Sequence, residues 1–148
     1  MQPIAARYED LSRSLSELLF EQANAMPPEV IRQLLPDMAA EWVSLIGVGP
    51  TLALVRNFPG IQMKVPIGDK PGKMSRRLGQ VIGEEQAARF MQRHGGEHLC
   101  IPRCAGLWRS MRDALIVQSY DRGVKVHELC IALGLSERQI RVILGNKK

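Results

Sequence analysis

Between Val126 and Leu144 the chain has room for little except two short helices joined by a tight turn, and almost every residue there agrees with that arrangement. Val126, Leu129 and Leu133 recur at helical spacing, and Cys130 puts a small side chain where another helix would come close. Gly134 can take the left-handed conformation that stops a helix. Ser136 and Gln139 then stand at the spacing of a capping box, with Leu135 and Ile140 placed as the hydrophobic staple around the same cap. The helix that follows buries Ile140, Ile143 and Leu144 and leaves Glu137, Arg138 and Arg141 outside. A longer helix from Ala105 to Tyr120, with Leu107, Trp108, Met111, Leu115 and Ile116 in period, leads into this pair and is ended by Asp121-Arg122-Gly123.

Helix, glycine turn and capped helix with outward arginines make the pattern of a helix-turn-helix, whose second helix enters the major groove of duplex DNA. Arg138 or Arg141 can donate two hydrogen bonds to guanine, and Glu137 can accept one from cytosine. Arg103, Arg109, Arg112, Arg122, Lys125, Lys147 and Lys148 are the cations available for phosphates, although they cannot all lie on one side. Residues 103–148 hold nine basic and four acidic residues, whereas residues 1–60 are net acidic, so the formal +5 of the 148-residue chain is concentrated at the DNA-reading end. The expected DNA-binding set is Lys125, Ser136, Glu137, Arg138, Gln139, Arg141, Lys147 and Lys148. The alternative is a plain three-helix bundle whose arginines are only solvated.

The first hundred residues are cut by proline and glycine into short pieces. A first helix capped by Asp10, Ser12 or Ser14 carries Leu11, Leu15, Leu18 and Leu19; a second starts at Pro27-Pro28 and buries Ile31, Leu34 and Leu35. A third starts at Pro36-Asp37, with Met38, Trp42, Leu45 and Ile46 on one face, and stops at Gly47. A fourth starts at Pro50 and is closed by Pro59-Gly60. Sliding the chain 36 residues along itself lays Met38, Ile46, Gly47, Gly60 and Pro66 on Met74, Ile82, Gly83, Gly96 and Pro102. The same unit is thereby punctuated twice: helix, glycine, helix, glycine turn, short strand, proline. The strands are Ile61 to Val65 and Glu97 to Ile101, the latter with Leu99 and Ile101 on one face and His98 and Cys100 on the other. So short a strand needs a neighbour, either the other repeat or another chain. The fold class is therefore mainly α with short β-strands. An N-terminal helical region over residues 1–104 is expected to dimerise, and a helix-turn-helix domain occupies residues 105–148.

The stretch GGEHLCIPR, Gly95 to Arg103, followed by Leu107, Arg112-Asp113, Ile116, Asp121, Gly123 and HELCIALGLSERQI, resembles the Mor/C transcription activators of phage Mu and its relatives. The resemblance runs from Leu45 or Val81 to Leu144, according to which repeat is aligned. It implies a homodimer with intertwined N-terminal regions, Gly95, Gly96, Leu99, Ile101 and Pro102 serving the dimer, and two heads on an inverted repeat near a phage promoter, where RNA polymerase is assisted. Cys100 stands where the family often has an aromatic, and Lys125 where it often has a polar cap. The extra unit from Met38 to Pro66 has no place in that pattern, and is able to supply within one chain what a partner would supply.

Other functions fit less well. No membrane span is expected, because the most apolar run, Trp42 to Val55, is broken by Ser44, Gly47, Gly49, Pro50 and Thr51. An odd set of three cysteines and no leader-like start suggest a reduced, cytoplasmic protein, and the resemblance to the phage activators implies a bacterial host cell. His94, His98, Cys100 and Cys104 lie close in sequence, but Pro102 interrupts the cysteine pair and no second pair completes a tetrahedron, so no metal or other cofactor is expected. His94 reads as a cation at a helix end and His127 as an exposed helical residue. Triads, phosphate loops and dinucleotide fingerprints are absent, so an enzyme is not expected. A repressor or a mobile-element adaptor is the alternative to an activator, with a metal or redox protein behind them.

Overall fold

The computed structural model describes residues 17–68 and 72–145, and it is mainly helical with one small sheet. The described part of the first helix, α1, covers residues 17–24; the caps and leucines expected before residue 17 lie outside the described residues. Then come α2 (Pro28–Leu34), α3 (Asp37–Ile46), α4 (Val48–Asn57), β1 (Gln62–Lys64), α5 (Lys73–Ile82), α6 (Glu84–His94), β2 (His98–Cys100), α7 (Ala105–Asp121), α8 (Val126–Leu133) and α9 (Glu137–Gly145). Packing divides them into two units. One comprises residues 23–107; the other runs from Trp108 onward and takes in the described residues before Ala23.

In the 23–107 unit, Pro28 occupies the first turn of α2, where its missing N–H costs nothing. Gly47, at φ 95° and ψ 166°, is at once the last cap of α3 and the first cap of α4, and Gly83, at φ 98° and ψ 146°, does the same between α5 and α6. A side chain at either point would be held in a conformation that L-residues rarely adopt. Because one glycine serves both helices, α4 begins at Val48, two residues before the expected Pro50, which is accommodated inside the first turn. The buried stripe of α3 is also displaced from the expected one. It consists of Ala39, Trp42, Val43 and Ile46, while Met38 is 39% exposed and Leu45 only half-buried. The stripe turns because α3 is covered by α2 and α4 as well as by α6.

The two strands pair antiparallel within the chain, Gln62 opposite Cys100, Met63 opposite Leu99 and Lys64 opposite His98. Backbone bonds continue the ladder at both ends: Ile101 N–H donates to Ile61 O at 2.9 Å, Gly60 N–H to Ile101 O at 2.8 Å, Val65 N–H to Glu97 O at 2.9 Å and Gly96 N–H to Val65 O at 2.8 Å. The period of two holds, since Met63, Val65, Leu99 and Ile101 are buried and Gln62, Lys64, His98 and Cys100 are exposed. In the helical core Trp42, Leu54, Leu78 and Phe90 are all fully buried.

The second unit has its own small core of Ile116, Val124, Leu129 and Ile140, edged by Leu115, Val126, Cys130, Leu133, Leu135, Ile143 and Leu144. Leu18 from α1 packs on the same cluster.

Candidate nucleic-acid interface

The geometry of α8 and α9 follows from local chemistry. Gly134 sits at φ 68° and ψ 28° and ends α8, with its N–H bonded to Cys130 O at 2.9 Å. Ser136 N–H then donates to Gln139 Oε1 at 2.9 Å, and Gln139 N–H donates to Ser136 Oγ at 3.1 Å. The reciprocal cap fixes the point at which α9 starts and saturates two donors that would otherwise face solvent. Leu135 and Ile140 meet in the core cluster, closing the staple around that cap. At the start of α8, Lys125 provides no capping side chain of the usual kind, and Glu128 Oε2 accepts from Lys125 N–H at 3.2 Å instead.

With Ile140 fully buried and Ile143 and Leu144 half-buried, α9 presents Glu137, Arg138, Arg141 and Val142 outward. Arg138 has no ion-pair partner among the described residues. Arg141 is held by Glu137, with Nη2 2.6 Å and Nε 3.2 Å from Oε1, and both side chains are 64% exposed. That hydrogen bond and the carboxylate charge raise the Arg141 guanidinium above its ordinary value, so it is cationic at every working pH. Val142, 55% exposed one turn beyond Arg138, joins this face, as the inward placement of Ile140, Ile143 and Leu144 requires.

The expected phosphate cations are distributed unevenly. Arg122 and Lys125 are exposed on either side of the α7–α8 turn, and Arg109 is exposed on α7. Arg112 is engaged by Asp113, at 2.9 Å from Nη2 to Oδ1. Arg103 belongs to the other unit and lies against Gly60, where an added Cβ would come within 2.8 Å of its guanidinium. Lys147 and Lys148 lie outside the described residues. Gly95, Gly96, Leu99, Ile101 and Pro102 gather at the sheet, opposite the chain's own first strand.

The histidines and cysteines are not brought together. Among the described residues no group of three or more His, Cys, Asp or Glu side chains is arranged to hold a metal ion. His94 is not the solvated helix-end cation that its position suggests: it is buried, its Nε2 accepts from Trp42 Nε1–H at 3.1 Å, and its Nδ1 faces Glu97 Oε2 at 3.3 Å. A ring nitrogen that accepts from an indole carries no proton, so the proton sits on the Glu97 side. The thiols also differ, since burial pushes Cys104 up to about 11 whereas Cys100 is exposed. Alkylation at pH 8 is expected to label Cys100 first and Cys104 only on unfolding, which peptide mapping by mass spectrometry checks; equal labelling rates would show that the 23–107 unit opens readily.

A small helical unit carrying a helix capped at its N-terminus, with arginines on its outward face, is a form common among transcription regulators. The family model of the Mor transcription activator family matches residues 69–148, more than half of the chain, and the chain belongs to that family. No curated protein and no solved structure matches it. Membership makes it a member of a transcription-regulator family, and no described helix is long and apolar enough to cross a membrane.

Proposed function

We propose that the chain is a sequence-specific duplex-DNA reader that activates transcription, with α9 as the helix that enters the major groove. One observation carries the reading: the reciprocal Ser136–Gln139 cap fixes a short helix whose outward face bears Arg138 and Arg141. The first turns of such a helix are the part that reaches base edges. Arg138 and Arg141 suit guanine, Glu137 suits cytosine, and Val142 suits a thymine methyl. Ser136 and Gln139 serve the cap, and Lys125, with Arg122 beside it, is placed for a phosphate next to the turn. Assistance to RNA polymerase is the part of this reading that rests on family membership, as is work in the cytoplasm of a bacterial host.

Selection of bound duplexes from a random pool tests it. A recovered motif of a few base pairs, lost in Arg138→Ala, supports the reading, whereas no enrichment over several rounds overturns it. The non-specific part of the affinity should be electrostatic. Titration from low to high salt is expected to give a log–log slope of about −0.9 for each phosphate neutralised. A flat salt response would identify the 108–145 unit as a protein-binding module instead.

A further inference from the structure

Residues 37–66 and 73–102 are two copies of one structural unit. The 36-residue shift carries Asp37 onto Lys73, Val48 onto Glu84 and Gln62 onto His98, the first residues of α3 and α5, of α4 and α6, and of β1 and β2. It also carries Gly47 (φ 95°) onto Gly83 (φ 98°) and Gly60 (φ 70°) onto Gly96 (φ 85°).

The copies are related as the halves of a two-fold pair. In the sheet Met63 faces Leu99, its own counterpart, so the local axis passes between them. Gln62 faces Cys100, the counterpart of Lys64, and Lys64 faces His98, the counterpart of Gln62. The helices obey the same exchange: α4 packs on α5 and α6 packs on α3. Trp42 on α3 meets Phe90 on α6 edge to face, with centroids 5.3 Å apart, and their counterparts Leu78 and Leu54 are likewise fully buried. Reciprocal contact of this kind defines the isologous interface of a symmetric dimer, here closed inside one chain.

From this we infer that residues 37–66 take the place of a second subunit, so that the protein is a self-contained pair with a single DNA-reading head and engages one non-palindromic element as a monomer. Only the copy ending in β2 continues into α7, α8 and α9; the copy ending in β1 continues into α5, the start of the other copy. The strand that would pair with a partner chain is already paired. Strands of three residues, followed by Pro66 and Pro102, leave little edge for a further one. Inverted repeats in DNA mirror a two-fold protein with two heads, and one head has no use for the second half-site.

The DNA half of this inference rests on the reading of α9 given above, so the test separates the two. Gln62→Cys, in a background where Cys104 and Cys130 are serine, places a thiol directly opposite Cys100, and facing residues of an antiparallel ladder lie within disulfide reach. Mild oxidation is expected to give an internal disulfide and no covalent dimer on a non-reducing gel. Light scattering of the unmodified protein at micromolar concentration is expected to give 16.5 kDa. On DNA, adding an inverted second copy of the selected element is expected to raise apparent affinity by no more than about twofold, the statistical factor for two independent sites. Covalent dimers, a doubled mass, or a tenfold or larger gain from the inverted copy would overturn the inference and leave the DNA reading in place. A monomer with the internal disulfide but no affinity for any duplex would overturn the DNA reading and leave the fused pair standing.

Discussion

Trp42→Ala is expected to destabilise the 23–107 unit by about 3–5 kcal/mol, the usual range for emptying a fully buried aromatic site. Two losses combine there. The indole stands edge to face against Phe90, and its N–H is the partner of the buried His94 Nε2. Removing the ring opens a cavity beside Phe90 and His94, and it leaves a buried acceptor without a donor, a defect that costs about 1–3 kcal/mol by itself. Trp42→Phe separates the two terms, because it keeps most of the volume and removes only the donor. Leu78→Ala at the equivalent position of the other copy should cost about 2–5 kcal/mol. Urea unfolding followed by amide circular dichroism measures all three. Since small domains have only about 5–15 kcal/mol in total, the alanine variant should be largely unfolded at moderate denaturant. A midpoint unchanged in Trp42→Ala would mean that the two helical hairpins do not share a core.

How much of this was legible in the sequence differs from one feature to another, for physical reasons. Glycine and proline act through backbone conformation alone, so Gly47, Gly83, Gly60, Gly96, Pro66 and Pro102 revealed the repeat and its spacing without any knowledge of packing. The Ser136–Gln139 cap is equally local, closed within four residues. Burial is not local. Apolar periodicity assumes one covered face, and α3 is covered on more than one, so its buried stripe departs from the one that the spacing predicts. Nothing near His94 in the sequence announces its burial, because its indole partner lies 52 residues upstream. Leu18 stands on the helix that its leucine spacing predicts, but that spacing does not say that it packs on the Ile116, Leu129 and Ile140 core. Whether the strands met within one chain or between two was open for the same reason: periodicity specifies which face of a strand is apolar, not which strand will cover its edge.

Arg138→Ala is expected to weaken binding to the selected duplex by about 1–3 kcal/mol, a loss of roughly 5- to 150-fold, if its guanidinium bonds a guanine edge through two N–H groups. The two arginines of α9 should not behave alike. Arg138 is exposed and has no ion-pair partner to give up among the described residues, whereas Arg141 enters the complex from an existing pair with Glu137. Part of what Arg141 gains from DNA offsets that pair, so Arg141→Ala should cost less than Arg138→Ala. Glu137→Ala should then have two opposed effects. It frees Arg141 and removes a negative charge from a face that approaches phosphates, raising affinity for random duplex. It also deletes the acceptor suited to cytosine, lowering discrimination at one position. Competition binding with specific and random duplexes, at one fixed salt concentration, reads both quantities. None of these three substitutions touches the core of Ile116, Leu129 and Ile140, so thermal stability should be close to that of the parent chain and the changes in affinity can be assigned to contact with DNA. Parent affinity and parent base preference in both arginine variants would remove α9 from the interface.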